Sequence, residues 1–430
     1  MAVDSLQSEQ PLTTGLSLRK NFSWTFAGNV VYAASQWAML MLIAKFGNPK
    51  MVGQFSLGLA LTAPIFMFTN LQLRSIQATD ARGNYSFNIY LGLRLLMSCL
   101  ALILVIGITL VSSYHLDVML VVVTIGAAKF VESISDIFQG LFQLHERMNL
   151  IAIAQMIKGP LSVVFLACGI YYTKSILFGS LGLLLAWLSV LVFYELRVSR
   201  IIKKQVNITS ICPLWIPTKL TQLAVIALPL GIVTMLVSLN ANIPRYTIER
   251  FMGQRELGIY AAMAYSMVAG LTVSGALGQS AAPRLARYYV AADMSAFMHL
   301  LIRLVIVFIV FGALGVLLAA CFGKELLTVL YTPEYAEHTE VFTIMAIASA
   351  ISFTGSIFIY ALTAARCLVN QIPLYLLATA ATCILSFYLI PRYGLAGAAY
   401  ALCCSSVILL LGAIFYMSKV VLRIKSTKLS

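Results

Sequence analysis

Long apolar runs follow one another along almost the whole chain, and they constrain its fold more than any other feature. A transmembrane helix needs about 20 mainly apolar residues, because each residue rises about 1.5 Å across a hydrocarbon core about 30 Å thick. Twelve runs reach this length, at about 22–44, 52–72, 91–113, 117–140, 150–171, 174–195, 220–243, 257–281, 300–322, 341–364, 372–390 and 395–417. The sequence therefore predicts a polytopic membrane protein with about twelve transmembrane helices.

The composition excludes a soluble globular protein. Of the 430 residues, 61% are hydrophobic and 10% are charged, whereas soluble domains carry about 25% charged residues. In lipid the backbone must satisfy its own hydrogen bonds, which only helices and closed barrels achieve, and the alternating pattern of barrel strands is absent from the sequence. The predicted fold class is an all-α integral membrane protein.

The positive charge of the chain predicts its orientation. The 29 Lys and Arg residues exceed the 15 Asp and Glu residues, which gives a net charge of +14. If the N-terminus is cytoplasmic, the connections on that side carry 17 of these cations and the outside connections carry 8. We therefore expect both termini to be cytoplasmic, with the cations facing anionic membrane lipids. The cations form no single patch, so we expect no nucleic acid partner.

Two short patterns recur along the chain and predict an internal duplication. Gly53-Gln54-Phe55 recurs as Gly258-Ile259-Tyr260 at an offset of 205, and a Gly-rich helix start at 179–182 recurs at 394–397 at an offset of 215. Six helices in each half is an even number, so the halves would share one orientation and be related by an axis along the membrane normal. That arrangement predicts two six-helix lobes around a central cavity.

The predicted domain boundaries follow from this duplication. We expect a cytoplasmic N-terminal tail at 1–19, an N-terminal lobe at 20–196, a cytoplasmic linker at 197–219, a C-terminal lobe at 220–418 and a basic cytoplasmic tail at 419–430. The linker is too short for a nucleotide-binding domain, and no GxxxxGK[ST] motif occurs in the sequence. An ion gradient, or consumption of the product on the far side, would therefore drive any transport.

Ionisable residues inside the predicted helices point to function or to buried ion pairs. Lys129, Glu132 and Asp136 are spaced i, i+3 and i+7, so they share one helix face. Lys158 lies just before Gly159-Pro160, where we expect a kink. Because a charge at the bilayer centre costs about 2.5–3.5 kcal/mol, such residues should face protein, water or substrate. A structural ion pair and a functional role both stay open, with Glu132 and Asp136 as candidates for proton or sodium coupling.

Further polar residues are predicted to face a wet interior or the membrane surface. Asn29 and Gln36 on the first helix and Asn240, Asn242 and Arg245 on the seventh are expected to line the cavity, where amides suit sugar hydroxyls. Hydrogen bonding between helices is the alternative for the amides. For three arginines near helix ends we expect snorkelling to the interface, and these are Arg94, Arg303 and Arg366.

The sequence predicts no metal site and no cofactor. The four His residues lie far apart along the chain, and the eight Cys residues form no CxxC motif. Small buried or membrane-embedded packing residues are the simplest interpretation of these cysteines.

Three motifs carry a resemblance to a known family. They are Gly53-x-Phe55, the segment Leu330-Tyr331-Thr332-Pro333-Glu334-Tyr335, and the segment Pro391-Arg392-Tyr393-Gly394-Leu395-Ala396-Gly397-Ala398-Ala399-Tyr400. With these motifs the chain, over about residues 18–418, resembles the bacterial polysaccharide flippases of O-antigen (Wzx-like) type. These flippases belong to the multidrug, oligosaccharidyl-lipid and polysaccharide exporter (MOP) superfamily, so the resemblance implies a MATE-like fold.

The resemblance also implies a function and a set of partners. The chain would move a polyprenyl-diphosphate-linked oligosaccharide repeat unit across the bacterial inner membrane by alternating access, for O-antigen, exopolysaccharide or capsule synthesis. It would not be an enzyme, and a polysaccharide polymerase and a chain-length regulator would be its partners. Lys129, Lys158 and Arg245 would meet the diphosphate or acidic sugars. The alternatives are a small-molecule exporter of the same superfamily and a membrane polysaccharide polymerase or ligase.

Overall fold

The computed structural model describes residues 18–80, 83–112, 114–205, 211–291, 293–365 and 371–427. Within these ranges the regular structure is helical and no strand occurs, so the all-α fold class is confirmed. Ten helices in the described part of the chain are long and apolar enough to cross a membrane. Most of the predicted N-terminal tail, the middle of the predicted linker at 206–210 and Arg366 lie outside the described residues.

In chain order, the first eight helices are α1 (Leu18–Phe46), α2 (Pro49–Thr69), α3 (Leu73–Thr79), α4 (Phe87–Val111), α5 (Leu116–Leu144), α6 (Met148–Thr173), α7 (Ile176–Val190) and α8 (Leu196–Gln205). A π-helical turn, Leu191–Glu195, joins α7 to α8. The remaining helices are α9 (Pro217–Met252), α10 (Gln254–Ser266), α11 (Val268–Val290), α12 (Met294–Leu330), α13 (Pro333–Ala336), α14 (Thr339–Ala364) and α15 (Gln371–Thr427).

Two local features explain how twelve predicted helices correspond to ten candidate spans. The eleventh and twelfth predicted helices both lie within α15, which bends at Gly394, where φ is 58° and ψ is −136°. Glycine adopts this conformation readily because it has no Cβ. The eighth predicted helix, 257–281, corresponds to α10 and α11, which are divided at Met267. The predicted set of helices is therefore consistent with the structure.

Packing divides the chain into two compact units. Unit 1 comprises Met1–Met39, Ile65–Thr173 and Leu177–Ile232, and unit 2 comprises Leu40–Pro64, Lys174–Ile176 and Val233–Ser430. The lobe boundaries expected from the sequence, 20–196 and 220–418, stay a prediction.

Helix α5 is the centre of unit 1, because α3, α4, α6 and α8 all pack against it. Its first half buries apolar side chains, including Val121, Val122 and Ile125. Its second half carries most of its polar side chains, and this change along one helix places a polar region inside unit 1. In unit 2, an apolar core includes Phe297, Phe308 and Ile357 and is built by α11, α12, α14 and α15.

Within unit 2, the starts of α2 and α10 cross with no room for a side chain. A Cβ built on Gly53 would lie 1.7 Å from the carbonyl oxygen of Gln254, and a Cβ built on Gly258 would lie 1.8 Å from that of Pro49. Residues 49 and 254, and residues 53 and 258, are each separated by 205 positions, which is the offset between the repeated Gly-x-aromatic patterns. The two contacts are therefore equivalent under the repeat, and this supports the internal duplication.

Gly258→Ala is expected to destabilise the protein by about 1–3 kcal/mol, because the added methyl group would meet backbone rather than a movable side chain. The matched control is Gly107→Ala in α4, where a built Cβ meets nothing within 4 Å. Thermal unfolding of the purified variants in detergent compares the two. Equal melting temperatures for Gly258→Ala and Gly107→Ala would contradict the close crossing.

Candidate functional site

One face of α5 is polar along the second half of the helix. Lys129, Glu132, Asp136, Gln139 and Gln143 follow one another at spacings of 3, 4, 3 and 4 residues. This period keeps all five on one face, over about 21 Å of helix length. The sequence predicted the shared face of the first three, and the structure extends that face to the two glutamines.

The polar face of α5 lines a pocket of about 530 Å³ that lies within unit 1. The other walls come from α1, from the end of α2 with the α2–α3 connection, from α3 and from α6. All of the lining residues except Met67 carry a polar group, and they are Tyr32, Met67, Asn70, Gln72, Arg74, Ser75, Lys129, Glu132, Ser133, Asp136, Gln139, Gln143, Gln155 and Lys158. The pocket is therefore hydrophilic, in a chain whose spans are otherwise apolar.

Asp136 forms ion pairs with two arginines at once. Arg94 Nη2 lies 2.9 Å from Asp136 Oδ2, and Arg74 Nη1 lies 3.3 Å from Asp136 Oδ1. The Arg94 side chain is fully buried, with 0% exposure, and it also donates to Asn70 Oδ1. Ser133 Oγ donates to the same Asn70 oxygen at 2.8 Å. These contacts tie α4, the α2–α3 connection and α5 together at the wall of the pocket.

Gln139 continues this network from Arg74 to a buried carboxyl group. Arg74 Nη1 donates to Gln139 Oε1 at 3.1 Å, and Arg74 Nε donates to Gln143 Oε1 at 3.1 Å. Gln139 Nε2 in turn donates to Glu195 Oε1 at 3.0 Å. Glu195 is fully buried in the π-helical turn, and its Oε2 has no hydrogen-bond partner among the described residues. Glu195 therefore fixes the amide that orients Arg74.

A second ion pair lies further along the same face of α5. Lys129 Nζ donates to Glu132 Oε2 at 2.7 Å, and Tyr32 Oη donates to Glu132 Oε1 at 3.2 Å. Both charged side chains are partly exposed to the pocket, at 23% for Lys129 and 31% for Glu132. Both oxygens of Glu132 accept a hydrogen bond, so this carboxylate stabilises one wall of the pocket.

Lys158 differs from the other cations of the pocket, because no carboxylate of the described residues lies within ion-pair distance of it. It is 3% exposed and donates to Ser135 Oγ at 2.8 Å. Its Nζ lies 5.8 Å from the ring centroid of Trp187, and Lys129 Nζ lies 5.3 Å from the same ring. Trp187 is held by a hydrogen bond from Nε1 to Ser162 Oγ at 2.9 Å. An aromatic face stabilises a cation but leaves ammonium donors open to a ligand.

The network carries an excess of one positive charge. Its four cations are Arg74, Arg94, Lys129 and Lys158, and its three acids are Glu132, Asp136 and Glu195, so the formal sum is 4 − 3 = +1. In a low-dielectric environment the attraction of this charge for an anion is stronger than it would be in water. The site can therefore hold an anionic group that is surrounded by hydroxyls, since amide and hydroxyl groups fill the rest of the wall. No group of three His, Cys, Asp or Glu side chains suited to a metal occurs in the described part of the chain.

The remaining predicted site residues do not line this pocket. Asn29 is exposed on α1 and Gln36 is half-buried on the same helix. In unit 2, Asn240 Oδ1 accepts hydrogen bonds from Thr382 and Ser405, as expected for the alternative of hydrogen bonding between helices.

Arg245 and Asn242 form a pair on α9 in unit 2. Arg245 Nη1 donates to Asn242 Oδ1 at 2.7 Å, and Asn242 Nδ2 donates to the carbonyl of Ser238 at 2.8 Å. Arg245 Nε is buried with no hydrogen-bond partner among the described residues. Arg245 is therefore, like Lys158, a cation that no described carboxylate neutralises at ion-pair distance.

Two arginines of the network were not anticipated in these roles. The prediction that Arg94 snorkels to the membrane interface was wrong, because its side chain is fully buried and forms an ion pair with Asp136. Arg74 follows the second predicted helix, 52–72, and the structure places it on the short helix α3 against α5. The two residues of each contact lie on different helices, so the spacing of residues within one helix does not indicate these contacts.

Comparison with known proteins is consistent with this architecture. The profile of the polysaccharide biosynthesis protein family matches residues 18–289. The chain is 28% identical, over 407 residues, to "Capsular polysaccharide biosynthesis protein CapF" of Staphylococcus aureus, and the match covers 93% of this chain and 99% of that protein.

Solved structures show the same fold at low sequence identity. An inward-facing multidrug resistance MATE family transporter of the MOP superfamily aligns with a TM-score of 0.67 at 12% identity, over 97% of each chain. The lipid II flippase MurJ in an inward closed conformation aligns with a TM-score of 0.66 at 14% identity, over 96% of this chain and 91% of that one. The predicted MATE-like fold is thereby confirmed, and the chain is a multi-pass membrane protein.

Proposed function

Since the chain belongs to the polysaccharide biosynthesis protein family, we propose that it moves a polyprenyl-diphosphate-linked oligosaccharide repeat unit across the bacterial cytoplasmic membrane by alternating access. The transported unit would serve O-antigen, exopolysaccharide or capsule synthesis. Both termini would be cytoplasmic, and a polysaccharide polymerase and a chain-length regulator would act on the unit after transport. The protein itself would catalyse no covalent step.

The observation that carries this proposal is the hydrophilic pocket inside unit 1. Moving a sugar hydroxyl into hydrocarbon without a hydrogen-bond partner costs about 4–8 kcal/mol. A glycan with several sugars therefore needs a path lined by donors and acceptors. Five amide side chains and the hydroxyls of Tyr32, Ser75 and Ser133 provide such groups. The polyprenyl chain has no polar groups and would stay in the surrounding lipid.

Lys158 is the residue that we propose to contact the anionic part of this substrate from unit 1. Its ammonium group is buried, donates to the Ser135 hydroxyl and lies over the Trp187 ring. No carboxylate of the described residues lies within ion-pair distance of it. A diphosphate or an acidic sugar would provide the missing negative charge. Lys129 and Arg245 are proposed to act with it, and Lys129 would do so while paired with Glu132.

A small-molecule exporter with the same fold is the second candidate, because the likeness to MATE transporters is as close as the likeness to MurJ. The substrate can be distinguished in cells. Deletion of the gene is expected to cause lipid-linked repeat units to accumulate on the cytoplasmic leaflet, and the wild-type gene should reverse this. Normal surface polysaccharide in the deletion strain, together with lost resistance to a drug, would favour the exporter.

Ion coupling is proposed to involve Glu132 rather than Asp136. Both acids were predicted for this role, but Asp136 is neutralised by two arginines, whereas Glu132 has one lysine and a tyrosine hydroxyl. Both acids line the pocket, where protons or sodium ions can reach them, so the difference between them lies in their ion pairs.

Glu132→Gln is expected to reduce transport by about 10-fold or more while the protein still folds, because the amide keeps the shape but cannot exchange a charge. Repeat units on each leaflet and the melting temperature of the purified variant measure the two effects. Wild-type transport by Glu132→Gln would leave Glu132 as a structural partner of Lys129.

A further inference from the structure

We propose that Arg74 changes partners when substrate binds. Its guanidinium group moves away from Asp136 and binds the diphosphate of the lipid-linked substrate. This inference rests on the proposed function and adds a binding residue that the sequence did not indicate. It follows from the way in which the charges of unit 1 are paired.

Asp136 pairs with two arginines, so one of them can move away while the other still neutralises the carboxylate. Arg94 is fully buried and lies closer to the carboxylate, at 2.9 Å, whereas Arg74 is 27% exposed and lies at 3.3 Å. If Arg74 turns into the pocket, Arg94 still neutralises Asp136. The carboxylate is then never left as an uncompensated buried charge, which is the main cost of breaking a buried ion pair.

The other ion pair of the pocket lacks this property. Glu132 has one cation within ion-pair distance among the described residues, and that cation is Lys129. Movement of Lys129 towards a substrate anion would leave Glu132 without a cation at ion-pair distance among the described residues, with the hydroxyl of Tyr32 still donating to it. Exchange at this pair therefore costs more than exchange at Arg74.

Arg74 is also placed to reach a ligand. It lines the pocket, and its Nε and Nη1 donate to three side chains of α5, while its Nη2 donates to none of the described residues. A guanidinium group binds phosphate oxygens with two parallel donors, which gives geometric selectivity for phosphates. Arg74 lies on α3, a helix of 7 residues that follows two residues in the left-handed conformation, Leu71 and Gln72.

The test measures binding of undecaprenyl diphosphate to the purified full-length chain in detergent, by native mass spectrometry. Arg74→Gln is expected to weaken binding by about 10-fold, the loss of one charged hydrogen bond, with a melting temperature close to that of the wild type. Gln143→Met removes one tether of Arg74 and is expected to bind undecaprenyl diphosphate more tightly than the wild type. Arg197→Gln, which removes an exposed arginine outside the pocket, is the matched control and should bind normally.

The outcomes separate this inference from the proposed function. Unchanged binding by Arg74→Gln, with weakened binding by Lys158→Gln, would overturn the role of Arg74 alone. Binding by Gln143→Met that is no tighter than binding by the wild type would show that release of Arg74 from α5 does not favour the ligand, and this would also overturn the exchange. If the wild type binds undecaprenyl diphosphate no better than undecaprenol, both the inference and the proposed function fail.

Discussion

Asp136→Ala is expected to destabilise the protein by about 3–5 kcal/mol, because it leaves Arg94 as a buried charge without a carboxylate. Arg94 has 0% side-chain exposure, and its remaining described acceptor is the amide of Asn70. At about 2–4 °C per kcal/mol for a unit of this size, the melting temperature should fall by roughly 10 °C. Fluorescence-detected size-exclusion chromatography after heating measures this change.

The matched control is Asp117→Ala, which removes an exposed acid from the first turn of the same helix. It should melt close to the wild type. The double variant Arg94→Met/Asp136→Leu should recover part of the loss, because apolar side chains of similar size remove the charge and its partner together. If Asp136→Ala has the same melting temperature as the wild type, the ion-pair network does not stabilise unit 1.

Lys158→Ala is expected to reduce transport of the lipid-linked repeat unit by about 10- to 100-fold, while folding changes little. A charged hydrogen bond to a substrate anion contributes about 1.5–3 kcal/mol. Folding should be less affected because Lys158 has no described carboxylate at ion-pair distance, so its removal strands no opposite charge. Repeat units on each leaflet, measured with equal amounts of protein in the membrane, give the transport rate.

Two further variants, Lys158→Arg and Lys219→Ala, are the controls for this prediction. The arginine keeps the charge and should retain part of the transport, whereas Lys219 is exposed at the start of α9, and its loss should leave transport normal. Transport by Lys158→Ala at the rate of Lys219→Ala would show that the substrate does not use this cation.

The fold was largely predictable from the sequence, because in lipid the length of an apolar run and the backbone requirement for hydrogen bonds leave few choices. The repeat at an offset of 205 was also readable, and the crossing of Gly53 and Gly258 gives it a physical basis. The bend at Gly394 lies between the eleventh and twelfth predicted helices, 372–390 and 395–417, so the sequence indicated this break. The division at Met267 was not predicted, since a continuous apolar run contains no signal for a change in backbone direction.

The site was predictable only where its residues share a helix. Lys129, Glu132 and Asp136 follow the helical period, so their common face could be read directly. Arg74, Arg94 and Glu195 reach α5 from other parts of the chain, and their contacts depend on helix packing. Arg94 in particular lies near a helix end, a position that is typical of an interfacial arginine, and its burial follows from the partner on α5.

Transport by the purified protein in liposomes tests the central claim most directly. A radiolabelled polyprenyl-diphosphate oligosaccharide is placed in both leaflets, and a membrane-impermeant glycosidase outside measures how much of it becomes accessible. With the wild type, nearly all of the glycan should become accessible over time, whereas Lys158→Ala should be much slower. If liposomes with the wild type expose no more glycan than protein-free liposomes, in the presence of proton and sodium gradients of either direction, the account is wrong.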